Sequence, residues 1–140
     1  MRGVTLVEML IALLVISIGL LGLAGLQNVS LQYNYSSYQR TTANNMAYDI
    51  TDRMRANLQE ARGGRYNIDY GASPNIGGIA GDDLEQWLDA LATTLPEGEA
   101  NILVRSDGRA RVRIRWLDNR DERDVDTDGE ATTFTLRTRL

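Results

Sequence analysis

The chain begins with a stretch of apolar residues that no charge interrupts. Eighteen residues, from Met9 to Leu26, contain no charged side chain, and Ser17 carries their only polar side chain. At a rise of about 1.5 Å per residue this stretch forms roughly 27 Å of helix, close to the hydrocarbon thickness of a bilayer. The pattern predicts a membrane-embedded helix over residues 4–26.

The next segment is polar, but its apolar residues recur at helical spacing. They stand mostly three or four positions apart, as on one face of a helix: Val29, Tyr33, Ala43, Met46, Ala47, Ile50, Met54 and Leu58. Gly63-Gly64 then supplies the residue type that ends helices in a left-handed cap. We therefore predict an amphipathic stem helix over residues 27–62, with its outer apolar residues packed against a C-terminal domain.

That domain, residues 63–140, begins with a loop and a short helix. Residues 63–81 are rich in glycine, asparagine and serine, a composition typical of a surface loop. Asp82 or Asp83 can cap a helix whose apolar positions fall on one face, namely Leu84, Trp87, Leu88 and Leu91. We expect Trp87 to lie in the core.

From Asn101 onward the apolar residues alternate with polar ones, which is the period of a β-strand. Two such segments flank Ser106-Asp107-Gly108 and predict a hairpin, and a third runs from Thr132 to Leu140. The predicted fold class is therefore α+β. A long N-terminal helix, embedded in the membrane over its first half, precedes a small head of about three antiparallel strands and a short helix packed on the stem.

Composition argues against catalysis. The chain contains no cysteine and no histidine, which removes thiol nucleophiles, imidazole bases and two common zinc ligands. A hydrolase would then need paired carboxylates in a cleft, whereas many of the acids cluster in one run, residues 118–130. We expect no enzymatic activity and no cofactor, and the net charge of −4 makes nucleic acid an unlikely partner.

A single carboxylate, Glu8, stands at the front of the apolar stretch, where a charge is costly in lipid. Arg2 precedes the stretch and the next basic residue is Arg40, so the positive-inside rule predicts a cytoplasmic amino terminus and an exported body. A secretory signal peptide would be cut near Ala24 or Gly25. The polar residues in front of the apolar stretch argue against that interpretation.

Gly3-Val4-Thr5-Leu6-Val7-Glu8, followed at once by a long apolar helix, resembles the class III signal of type IV pilins and pseudopilins. The resemblance implies that residues 1–3 are a prepilin leader, that a prepilin peptidase cuts between Gly3 and Val4, and that the Val4 amine is then methylated. It gives Glu8 an assembly role, in which the carboxylate meets the terminal amine of a neighbouring subunit. An uncleaved signal anchor whose Glu8 snorkels to the interface is the alternative.

The outer stem, residues 47–57, is similar to that of the PilV family of minor pilins, also called type IV pilus modification proteins. This resemblance implies a single-pass inner-membrane protein with a periplasmic head, later built into a pilus at the cell surface, where it supports assembly and twitching motility. The implied partners are other minor and major pilins, the prepilin peptidase and the pilus assembly platform. A type II secretion pseudopilin is one alternative, and a receptor pilin that binds DNA or a surface is another.

Three sets of residues have alternative interpretations. The first comprises Gly19, Gly22 and Gly25, which allow helices to approach closely or to unwind but are also tolerated in ordinary membrane helices. The second comprises four alternating arginines, Arg109, Arg111, Arg113 and Arg115. They form either an anion-binding stripe or a face neutralised by the acids of residues 118–130. We favour the neutralised face.

The third set is the opening of a calcium-loop pattern, Asp124, Asp126 and Asp128 followed by Gly129. Oxygen ligands at alternating positions and a glycine for the turn suit Ca²⁺. The twelfth position, however, is Thr135 instead of a bidentate glutamate. We favour a charged hairpin tip over a metal site.

Overall fold

The computed structural model describes residues 5–118 and 131–140, and within these ranges the chain forms three helices and three strands. In chain order they are α1 (Leu6–Ala56), α2 (Leu58–Arg62), α3 (Ile79–Thr94), β1 (Glu99–Val104), β2 (Arg109–Trp116) and β3 (Thr132–Arg139). The chain divides into two compact units, the first up to Tyr35 and the second from Ser36 to Leu140. The long N-terminal helix, the short helix and the antiparallel sheet confirm the predicted α+β class.

The helical segment before the loop is interrupted once, which the sequence did not predict. The expected continuous helix to Arg62 instead ends at Ala56, because Asn57 adopts φ −120° and ψ 53°. The Asn57 side chain donates a hydrogen bond to the hydroxyl of Tyr66 (3.4 Å). At Gly64 the backbone is left-handed (φ 79°), and Gly64 and Arg65 donate to the carbonyls of Ala61 and Glu60 (both 3.0 Å). This is a Schellman cap, so the predicted glycine stop is where α2 ends.

Helix α3 begins earlier than predicted, and neither Asp82 nor Asp83 caps it. Gly78, with φ 81°, is its N-cap, and the Gly78 carbonyl accepts from the amides of Gly81 (2.9 Å) and Asp82 (3.1 Å). A Cβ at Gly81 would collide with the carbonyl oxygen of Ile76. The glycine therefore lets the loop pass directly over the first turn of the helix.

The three strands form one antiparallel sheet in the order β1-β2-β3. Ile102 lies opposite Val112, and Val112 lies opposite Leu136 on β3. The predicted hairpin and third strand are thus confirmed. Gly108 takes φ 81° in the connecting turn, a conformation that favours glycine.

The core lies between the inner face of this sheet and two helices. It contains Ile50 and Met54 from α1, Trp87 from α3, and apolar residues of β1 and β2, all buried in one cluster. The two buried tryptophans each donate their ring N–H: Trp87 to the Met46 carbonyl (2.9 Å) and Trp116 to the Gln39 side-chain oxygen (3.2 Å). Trp87 lies in the core, as predicted.

Candidate functional site: an exposed apolar helix with one carboxylate

The first unit contains an apolar helix whose side chains are exposed. Every residue from Thr5 to Asn28 is exposed, and the large side chains keep more than half of their surface accessible, from Leu6 at 80 % to Ile11 at 57 %. A helix that is apolar on all sides is stable when lipid or other helices surround it. By length and composition α1 can cross a membrane near its amino-terminal end.

Thr5 caps the start of this helix, a role that the sequence analysis missed. The Thr5 hydroxyl accepts a hydrogen bond from the Glu8 amide (3.3 Å), and the Thr5 carbonyl accepts from the amides of Glu8 (3.1 Å) and Met9 (3.2 Å). Thr5-Leu6-Val7-Glu8 has the threonine-x-x-glutamate pattern of a capping box, which was the available signal. The carboxylate of Glu8 thus stands in the first turn, where the helix dipole favours negative charge.

No cation of the same helix can neutralise Glu8 once the segment enters lipid. The next basic residue along the chain is Arg40, about 48 Å further along a helix at 1.5 Å per residue. Isolated charges are rare in membrane segments because they are costly there. A cation supplied by another chain and a carboxylate that snorkels to the interface both remain predictions for Glu8.

The three glycines of the apolar segment lie within α1. A Cβ added at Gly19, Gly22 or Gly25 would meet nothing within 4 Å. Packing among the described residues therefore does not require glycine at these positions. The two interpretations, close approach of another helix and simple tolerance, both remain predictions.

Two sets of predicted site residues lie outside the described ranges. They are the proposed cleavage and methylation residues Gly3 and Val4, and the calcium-loop residues Asp124, Asp126 and Asp128. Among residues 5–118 and 131–140, His, Cys, Asp and Glu form no group of three or more that could hold a metal ion.

The arginine stripe on β2 divides into two pairs with different surroundings. Arg115 donates to Glu99 on β1 (2.6 Å) and lies 4.2 Å from the ring centroid of Tyr70, while Arg113 donates to the Asn101 side chain (2.8 Å). Arg109 forms an ion pair with Asp107 in the turn (3.5 Å).

The fourth residue of the stripe, Arg111, has a buried Nε that finds no hydrogen-bond partner among the described residues.

The acids that pair with the stripe therefore come from β1 and the hairpin turn. Of the predicted acidic run, Asp118 accepts a hydrogen bond from the Ser36 hydroxyl of α1 (2.6 Å). Residues 119–130 lie outside the described part of the chain. The sequence could not distinguish the two pairs because it does not show which residue of β1 faces each arginine.

Comparison with known proteins gives one match, at the amino terminus. Residues 1–24 match the prokaryotic N-terminal methylation motif, the motif of type IV pilin-like prepilins. This confirms the resemblance of the first segment to type IV pilin-like prepilins, and it supports the expectations of N-terminal methylation and of a membrane helix. No curated protein and no solved structure matches the chain.

Proposed function

We propose that this protein is a minor pilin of a type IV pilus, cleaved after Gly3, methylated at Val4 and built into the pilus through its N-terminal helix. The observation that carries the proposal is a fully exposed apolar helix within the N-terminal methylation motif. A helix of this kind has two environments that cover it, the bilayer before assembly and the helices of neighbouring subunits afterwards. Its activity is assembly, and no catalytic step is involved.

The electrostatics of the helix start explain why a glutamate, Glu8, stands in front of the apolar stretch. Cleavage after Gly3 creates a cationic amine on Val4, beside the positive end of the α1 dipole. Glu8 is an anion, and the nearest cation further along its own helix is Arg40, about 48 Å away at 1.5 Å per residue. Each charge alone is costly in lipid, and each is stabilised by the other when two subunits meet, because attraction between unit charges increases as the dielectric constant falls.

The Thr5 cap of α1 explains why Glu8 would pair with the amine of another subunit and not with the amine of its own chain. The Glu8 amide is bound by Thr5, which holds the first turn helical. The amine of a second subunit approaches the exposed carboxylate from outside this helix. The contact forms only when two copies or two different pilins lie at the correct relative depth, so it sets the register of assembly.

The second unit supplies the variable part of such a subunit. Residues 47–57, which carry the resemblance to the PilV family, form the end of α1 and the N-cap residue of α2, Asn57. Ala47, Ile50 and Met54 of this segment are buried in the core. In the proposed arrangement this unit is periplasmic until assembly and at the cell surface afterwards. Its partners would be other minor and major pilins, the prepilin peptidase and the assembly platform.

Processing is tested by mass spectrometry of the protein purified from membranes. The proposal expects a mass lacking Met1 to Gly3 and carrying one added methyl group at Val4. A strain without the prepilin peptidase serves as the control and should retain the full chain. An exported protein with an intact amino terminus would overturn the proposal in favour of a signal anchor.

The machine is tested by deleting the gene and counting surface pili and type II secreted proteins in the same cultures. A minor pilin predicts fewer pili, reduced twitching and normal secretion. Photo-crosslinkers at exposed positions Tyr33 and Tyr38 should capture other pilins. Normal pili with defective secretion would instead identify a pseudopilin.

A further inference from the structure

Five arginines gather on the outer face of the sheet, near the hairpin turn. This arginine face comprises Arg105, Arg109, Arg111, Arg137 and Arg139. In the register of the sheet Arg109 lies opposite Arg139 and Arg111 lies opposite Arg137. Three of the five, Arg105, Arg137 and Arg139, were not among the sequence candidates, because only strand pairing brings them together.

The hydrogen-bond pattern places these cross-strand pairs close together. The Leu140 amide donates to the Gly108 carbonyl (2.8 Å), so these two residues form a hydrogen-bonded pair of the ladder. Hydrogen-bonded and non-hydrogen-bonded pairs alternate along an antiparallel sheet. Arg109 with Arg139, and Arg111 with Arg137, are therefore non-hydrogen-bonded pairs. At such positions opposed Cα atoms are about 4.5 Å apart and the side chains are nearest. Like charges placed there destabilise a sheet.

Little negative charge offsets this face within the described residues. Asp107 pairs with Arg109 (3.5 Å). The pKa of Asp107 is lowered first by the hydrogen bond from the Arg109 amide and then by the charges of Arg109, Arg105 and Arg139. Among residues 5–118 and 131–140, the buried Nε of Arg111 has no acceptor. The face therefore has donors and positive charge available for an anionic group.

A cavity of about 380 Å³ opens on this face. It is lined by Leu103, Thr138 and four of the arginines, Arg105, Arg109, Arg111 and Arg137. A second cavity, of about 430 Å³, has Arg111 and Leu103 in its lining as well. The mixture of guanidinium groups with an aliphatic side chain suits a ligand that carries both carboxylates and apolar groups.

The neighbouring edge of the sheet adds backbone groups to this surface. Ile68 covers part of the β1 edge by exchanging two hydrogen bonds with Ile102 (3.0 and 2.9 Å). On the opposite edge the same alternation directs the backbone N–H and C=O groups of Thr133, Thr135, Arg137 and Arg139 away from β2. Within the described ranges no further strand pairs with β3, and such an edge can accept one.

We propose that β3 accepts an extended acidic segment of another protein as a fourth strand, with its carboxylates on the arginine face. Side chains of an added strand alternate between the two faces of the sheet. Acidic residues at every second position would meet Arg137 and Arg139 and reach towards Arg109 and Arg111. The intervening residues would lie beside Phe134 and Leu136, which are half-buried, so they should be apolar.

This arrangement favours a protein segment over a nucleic acid. A phosphate backbone could contact the arginines, but it offers no groups that continue the ladder of β3. The cavity lining contains no aromatic side chain on which a base could stack. The proposal concerns the second unit and does not depend on the role proposed for the N-terminal helix.

The test uses the full-length protein in lipid nanodiscs and a fluorescent ten-residue peptide of alternating glutamate and valine. We expect saturable binding that weakens when NaCl is raised, and slower hydrogen exchange at the amides of Thr135 and Arg137. The same peptide with N-methylated amides on its ladder-forming edge keeps its charge and should bind at least tenfold more weakly. Equal binding of the two peptides, no binding of either, or preferential binding of a DNA duplex would overturn the proposal.

Variants locate the site. Arg137→Gln with Arg139→Gln should weaken peptide binding at least tenfold without lowering the unfolding temperature, since it removes like-charge contacts. Arg113→Gln with Arg115→Gln removes the same charge, but from arginines that Asn101 and Glu99 already bind. At temperatures where this variant is folded, its affinity for the peptide should differ from that of the wild type by less than threefold. Equal loss in both double variants would show general attraction without a site and would contradict the proposal.

Discussion

The phenol of Tyr66 donates a 2.6 Å hydrogen bond to the carboxylate of Asp83, and this contact joins the loop after α2 to α3. Arg53 of α1 donates to the other oxygen of the same carboxylate (3.3 Å). Asp83 therefore binds side chains from two other segments instead of capping its own helix. Tyr66 is one of six tyrosines in the chain, and this contact changes its acidity.

Burial, reinforced by the hydrogen bond to Asp83, raises the pKa of Tyr66 from 10.0 to about 12. Because the folded pKa lies above the unfolded one, the stabilising contribution of Tyr66 is complete below about pH 10 and is lost as pH rises towards 12. A phenolate absorbance titration of the wild type, minus that of Tyr66→Phe, should isolate this late step. Ionisation of Tyr66 at an ordinary tyrosine pKa would contradict the contact.

Tyr66→Phe should also lower the free energy of unfolding by about 1.5–3 kcal/mol at pH 7, the usual range for a hydrogen bond to a charged group. Tyr48→Phe is the control, because Tyr48 is exposed on α1 and its change should be nearly neutral. Thermal unfolding followed by circular dichroism measures both. Equal stability of the two variants would show that the Tyr66 hydroxyl contributes nothing.

Gly81→Ala tests the close approach of the loop to α3. The new Cβ would collide with the Ile76 carbonyl oxygen, so the backbone must shift at a cost of about 1–3 kcal/mol. That cost corresponds to a decrease of several degrees in the unfolding temperature. Gly77→Ala is a matched control, since a Cβ at Gly77 meets nothing within 4 Å. A stabilised Gly81→Ala variant would mean that the loop does not pass over the helix.

The two kinds of arginine on β2 should respond differently to the same substitution. Arg115→Gln loses the ion pair with Glu99 and the contact with the Tyr70 ring, and should destabilise the second unit by about 1 kcal/mol. Arg111→Gln relieves a like-charge pair with Arg137 and should leave stability unchanged or raise it by about 0.2–1 kcal/mol. Urea unfolding of the two variants side by side measures the difference, and the opposite order of stabilities would refute this assignment of partners.

The sequence predicted the third strand and the helix end before the loop, because both have a signal in neighbouring residues. The alternation in Thr132 to Leu140 specified β3 because a strand with one buried face requires that period, and Gly63-Gly64 specified the helix end because of its left-handed backbone. The break at Asn57 and the start of α3 at Gly78 were missed. At these boundaries Asn57 bonds to the side chain of Tyr66 and Gly81 lies against the carbonyl of Ile76, and the order of residues shows neither contact.

The same distinction applies to the candidate sites. The carboxylate of Glu8 in an apolar stretch was recognisable from sequence, since a charge in such a place is unfavourable wherever the rest of the chain folds. The separation of Arg111 from Arg115 was not, because it depends on which residues of β1 and β3 lie opposite each arginine. The Thr5 cap had a local signal, its spacing of three residues from Glu8, that was overlooked.

The most direct test of the central claim replaces Glu8 by glutamine, which keeps the side-chain shape and removes the charge. The wild type, Glu8→Gln and Glu8→Asp are expressed in the deletion strain, and each protein is quantified in membranes and in sheared surface pili. We predict equal amounts in membranes, since insertion improves when a charge is removed, together with at least a tenfold lower amount of Glu8→Gln in pili and a smaller loss for Glu8→Asp. Glu8→Gln in pili at the wild-type level, or its loss from membranes, would contradict the proposed pairing of Glu8 with a neighbouring amine.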